Sequence, residues 1–151
     1  MNYLVNLLKQ MLYYDFMNTS TTPQTDAYIP GVCNINHAEI AYRKKAGYLG
    51  IAIFVVILAV MLTLSINRYA RLALFVPAFL AAIGFLQARN RFCVGYGAAG
   101  QQNASEGSAK ASVVADKAAV SKDKQRAQQM NLQAAGIAAA TAIVCVLIPS
   151  F

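Results

Sequence analysis

Tyr48 to Ile66 reads YLGIAIFVVILAVMLTLSI, 19 residues without a single charge. As a helix rising about 1.5 Å per residue it would extend about 28 Å, which matches a hydrocarbon core roughly 30 Å thick. This stretch is expected to cross a membrane, and it sets the solvent for the rest of the chain. The composition agrees. Of 151 residues, 58% are hydrophobic and 13% charged, whereas soluble domains carry roughly 45–50% and about 25%. So few charges could not cover the surface of a soluble fold.

Toward the N-terminus, the span is preceded by Arg43-Lys44-Lys45 and, before that, by a helix start at Asn36. Asn36 can accept from a backbone N–H three residues on, and Glu39 can reach back, as in a capping box. Residues 18–35 form a polar loop punctuated by Pro23, Pro30 and Gly31. In residues 1–17, Leu4, Leu7, Leu8, Met11 and Leu12 recur at helical spacing, with Asn2, Asn6, Lys9 and Gln10 interleaved. That segment is too short and interrupted to span. It is expected to lie in the interface as an amphipathic helix, with Tyr3, Tyr13 and Tyr14 at headgroup level. Lys9 inside the apolar stretch and the lack of a small-x-small site argue against a secretory signal.

Toward the C-terminus, Asn67-Arg68-Tyr69 reads as a tight turn into a second span, Leu72 to Ala88 (LALFVPAFLAAIGFLQA). The two spans are therefore expected to be antiparallel neighbours. Pro77 should kink the second, and Ala81, Ala82 and Gly84 should allow close approach. Residues 89–130 read as a glycine-rich loop followed by a helix from Ser108 to Met130. Leu132 to Phe151 is the third span, with Gly136 and Ala140 at small-xxx-small spacing for helix packing. The fold class is thus an all-α membrane protein. It comprises a hairpin over 36–88 (spans 48–66 and 72–88), a polar segment over 89–130 and a final span over 132–151.

Eleven of the 13 basic residues lie before the first span or between the second and third, and two, Arg68 and Arg71, lie in the turn. The positive-inside bias therefore puts the N-terminus and residues 89–130 in the cytoplasm and the C-terminus outside. The net charge of +7 is explained by this flanking pattern, so nucleic acid is not an expected partner. Arg43, Lys44, Lys45, Arg89 and Arg91 are the candidate contacts to anionic lipid headgroups.

The chemistry-bearing residues are sparse. Cys33, Cys93 and Cys145 are odd in number and share no repeated spacing, so they are no disulfide framework. Cys33, His37 and Cys93 belong to one face of the membrane, and two thiolates with an imidazole would suit zinc or iron, although a fourth ligand is missing. Packing of loop against loop is the commoner role for such cysteines. Gly95-Tyr96-Gly97-Ala98-Ala99-Gly100 matches G-x-G-x-x-G but lacks the flanking strand and βαβ unit that nucleotide binding requires. No Asp, Glu, Lys, Arg or His falls within the three spans, which argues against a self-contained transporter. No catalytic set is visible.

Cys33-Asn34-Ile35 with Glu39-Ile40 and the basic cluster at 43–45, then Phe92-Cys93-Val94-Gly95-Tyr96-Gly97 with Gly100 and Asn103, resemble the signatures of a family of small three-span bacterial membrane proteins. Asn36 stands where that family's pattern has Gly. The resemblance implies topology and a place in the bacterial inner membrane, and it implies no activity. The expected function is that of a non-catalytic accessory or scaffold subunit, with membrane lipids and other membrane subunits, or copies of itself, as partners and no cofactor. A metal-binding redox protein on Cys33, His37 and Cys93, or a lipid-binding protein, are the alternatives.

Overall fold

The computed structural model describes residues 27–105 and 110–148. The interfacial helix expected over 1–17 and the first half of the loop over 18–35 lie outside the described residues. The described chain is mostly helical. Helix α1 (His37–Thr63) is followed by a 3-10 segment (Arg68–Leu74), α2 (Phe75–Asn90), the short α3 (Val94–Ala99) and α4 (Lys117–Leu147). Between α3 and α4, the two-residue strands β1 (Gln101–Gln102) and β2 (Ser112–Val113) pair antiparallel. Among the described residues, three helical stretches are long and apolar enough to cross a membrane: His37–Thr63, Arg68–Asn90 and Lys117–Leu147.

Helix α1 starts where expected. Asn36 holds the N-cap in extended backbone, and its side chain accepts from Glu39 N at 3.1 Å. Glu39 does not complete the box, because its carboxylate is drawn to Arg43 and Tyr96 instead. The hairpin differs from the expected tight turn at 67–69. The reversal falls at Leu64–Asn67, with Ser65 at φ 49°, and the chain re-enters as a 3-10 helix capped by Asn67 on Tyr69 N. Pro77 sits in the first turn of α2, just after the 3-10 segment, where proline is tolerated. The irregularity expected of Pro77 takes the form of a change of helix type at Leu74–Phe75.

The central helix is α2. Both α1 and α4 pack against it and scarcely against each other. On the α1 side the contact is built on glycine. A Cβ placed on Gly84 would lie 2.6 Å from Gly47 N, and one on Gly50 would lie 2.5 Å from Ala81 N. Such backbone approach supplies close van der Waals contact between the two helices. Phe85 then covers Gly47 and meets Tyr48 edge-on at 5.0 Å between centroids.

Helix α4 is one continuous helix, not a helix from Ser108 with a separate span. It begins at Lys117 because Asp116 caps it, accepting from Ala118 N at 2.9 Å, and because Ser112–Val113 is held as a strand against Gln101–Gln102. Its buried seam is Ala119, Asp123, Ala127, Met130, Ala134, Ala138, Ala142 and Cys145. Gly136 and Ala140, expected to pack, are off that seam. Nothing stands within 4 Å of a Cβ built on Gly136, and both residues are exposed. Alanine is so frequent in this stretch that more than one small-residue stripe can be drawn, and Ala127, Met130 and Ala134 are the ones that share a core cluster with Ile83 of α2 and Phe92.

One charge does lie within an apolar stretch. Arg71 is fully buried, and its Nη1 donates to the carbonyls of Cys145 at 3.1 Å and Ile148 at 2.6 Å. The Cys145 carbonyl is among the last four of α4, which have no partner further along the helix, and a cation there also complements the helix dipole. Arg71 therefore ties the hairpin to the end of α4, so both lie at one end of the bundle.

Candidate functional site at the polar end of the bundle

The opposite end carries nearly all the polar side chains that the fold buries. The chain enters it through Ile29–Cys33, a reversal in which Ile29 N and Cys33 N each bond across the turn at 2.9 Å and Gly31 takes φ 74°. Gly31 is required there for that left-handed backbone. The turn is clipped to α4 by Asp123, which is wholly buried. Asp123 accepts from Gly31 N at 2.6 Å and from the Tyr28 hydroxyl at 2.8 Å. Burial, reinforced by the Asp123 carboxylate, pushes the Tyr28 hydroxyl well above its ordinary value.

Asn34 comes next and is also wholly buried. Its carboxamide behaves as an extra peptide group. Oδ1 accepts from Cys93 N at 2.6 Å and Nδ2 donates to Cys93 O at 3.1 Å. Its own backbone donates to Arg91 O and accepts from Asn103 N. Asn36 N in turn donates to Asn103 O at 2.8 Å, and Asn36 Nδ2 to Ser105 O at 3.1 Å. Three asparagines thus stitch the segment before α1 to the α2–α3 corner and to the loop after β1.

Cys93 sits at the centre of this knot, 3% exposed. It is the N-cap of α3, its Sγ accepting from Tyr96 N at 3.5 Å and from Arg43 Nη2 at 3.2 Å. The same Arg43 nitrogen bridges to Glu39 Oε2 at 3.0 Å, and the Tyr96 hydroxyl donates to Glu39 Oε1 at 3.1 Å. Burial first, then Glu39, raises the Tyr96 hydroxyl above its ordinary value. The glycine run has a packing role. Gly97 lies against the buried Phe92 ring, where a Cβ would come within 2.6 Å, and Gly100 closes α3 at φ 67°.

The metal candidates are not brought together as a three-ligand set. Among the described residues, no group of three His, Cys, Asp or Glu side chains could share an ion. His37 is exposed on the first turn of α1, and the Cys33 thiol donates to Ile35 O at 3.7 Å. The Cys93 sulfur already faces a guanidinium, a cation where a metal would have to sit. The five basic candidates separate as well. Arg43 belongs to the knot, Arg91 is the left-handed C-cap of α2, and Lys45 is exposed. Lys44 and Arg89 flank a cavity of about 470 Å³.

Asp123, Tyr28 and Arg71 are residues that sequence reasoning missed, and Asn34 and Asn103 entered it only through the resemblance, without a role. Asp123 had a usable signal, since it is the one acid in register with the alanine seam of α4. Arg71 and the asparagines act through backbone groups far away in sequence, which no local pattern registers. Comparison with protein-family models, with curated proteins and with solved structures finds no match for this chain.

Proposed function

We propose that this chain is a non-catalytic accessory or scaffold subunit of a larger membrane assembly. The three apolar helices embed it, and the knot of residues 28–36, 91–105 and the start of α4 presents a fixed platform on the cytoplasmic face. The observation that carries this reading is how the polar groups of the knot are occupied. Asn34, Asn36, Glu39, Cys93 and Asp123 each bond to another part of the same chain. A catalytic centre leaves such groups pointing at a substrate, whereas a platform uses them to hold its own shape.

The eleven basic residues that precede the first span or separate the second from the third in sequence, against two in the Arg68–Arg71 hairpin, support a cytoplasmic knot and an outward hairpin. Extraction from native membranes in mild detergent, followed by native mass measurement, tests the assignment. The chain is expected in a complex of fixed stoichiometry. A homogeneous monomer with no companion subunit would overturn it.

A further inference from the structure

Because α1 and α4 flank α2 without closing on each other, a cleft is left with α2 as its floor. Its polar end is the 470 Å³ cavity between Lys44 of α1 and Arg89 of α2, walled by Phe85, Leu86 and Ile137. Ala82, Phe85 and Ile137 also line a second cavity of about 250 Å³, which runs on beside Ile51 and Phe54 toward the middle of the apolar stretch. The two are therefore one continuous cleft, cationic at its mouth and apolar along its length. The larger volume alone is in the range of small-molecule sites.

The two cations differ from Arg43 and Arg126. Arg43 and Arg126 are tied to Glu39 and Asn90. Among the described residues, Lys44 and Arg89 have no hydrogen-bond or ion-pair partner. Both stand at the border where the charged end of α1 gives way to its apolar run. A soluble anion would satisfy them but would leave the apolar length of the cleft empty. A neutral lipid would fill the length but leave paired cations unanswered.

We propose that this cleft is a binding site for one anionic glycerophospholipid, its phosphate between Lys44 and Arg89 and an acyl chain lying along Phe85, Ala82 and Ile137. The site does not depend on the scaffold assignment, since it would form in the isolated chain. Lipid adducts on the full-length protein in detergent, titrated with dioleoylphosphatidylglycerol and with dioleoylphosphatidylcholine, read it out by native mass measurement. One saturable phosphatidylglycerol adduct is expected, favoured over phosphatidylcholine. Lys44→Gln and Arg89→Gln should each weaken it roughly fivefold. Lys45→Gln, outside the cleft, should leave it unchanged. Ile137→Phe, which narrows the cleft without touching a charge, should weaken it while helical content is retained. Equal retention of the two lipids would overturn the proposal, as would equal losses for Lys45→Gln and Lys44→Gln. So would glycerol phosphate competing as well as the intact lipid, which would leave only a simple anion site.

Discussion

Asn34 and Cys93 are paired like two residues of a sheet, although neither lies in one: the Asn34 carboxamide exchanges two hydrogen bonds with the Cys93 backbone, at 2.6 and 3.1 Å. Both residues are buried, so neither bond has water as a substitute. Asn34→Leu keeps the volume but strands a buried N–H and a buried carbonyl. It is expected to lower stability by about 3 kcal/mol, measured as unfolding of the detergent-solubilised chain. Asn34→Asp should also destabilise, because a carboxylate would face the Cys93 carbonyl.

Arg71 is the matching clasp at the other end. Arg71→Met removes both donors to the end of α4 and is expected to cost about 3 kcal/mol, since charged hydrogen bonds contribute roughly 1.5–3 kcal/mol each before the vacated carbonyls recover other partners. Arg71→Lys should recover only part of this, as a single ammonium reaches the two carbonyls less well. Thermal unfolding in one detergent compares the three proteins.

The glycines separate a contact from an open face. Gly50→Ala brings a methyl within 2.5 Å of backbone nitrogen and should cost about 1–3 kcal/mol. Gly136→Ala meets nothing and should be neutral or stabilise by up to about 1 kcal/mol through helix propensity. If the two substitutions have equal effects, the assigned packing faces are wrong.

The knot should loosen in alkali. The Tyr28 and Tyr96 hydroxyls are both raised by burial and by a neighbouring carboxylate. Their neutral forms therefore contribute stability that is complete below the free phenol value near 10 and is lost as pH climbs above it toward the raised folded values. Stability measured from pH 8 to 11 should fall at the upper end. Tyr28→Phe should lower the plateau and flatten that fall.

How much of this was legible in sequence depended on range. The 48–66 span and the Asn36 cap are local patterns, and α1 carries the cap and the span as far as Thr63. The start of α4 was misplaced because Ser112–Val113 pairs with Gln101–Gln102, a contact that helix propensity cannot register. Arg71 looked like a flanking charge because its partners stand more than 70 residues away at Cys145 and Ile148. Cys93 stood out in the sequence only as a candidate metal ligand with Cys33 and His37. Its role as a cap facing Arg43 depended on the fold bringing α1 to the α2–α3 corner.

The central claim is that three apolar helices thread a bilayer with the asparagine knot inside and the Arg68–Arg71 hairpin outside. Labelling with a membrane-impermeant maleimide tests it directly, using Tyr69→Cys and Lys124→Cys, both at exposed positions, with the parent chain as blank. Tyr69→Cys should label in intact cells, and Lys124→Cys only after the membrane is opened. Labelling of Lys124→Cys in intact cells with Tyr69→Cys protected would invert the topology, and recovery of the chain in the soluble fraction would contradict the account altogether.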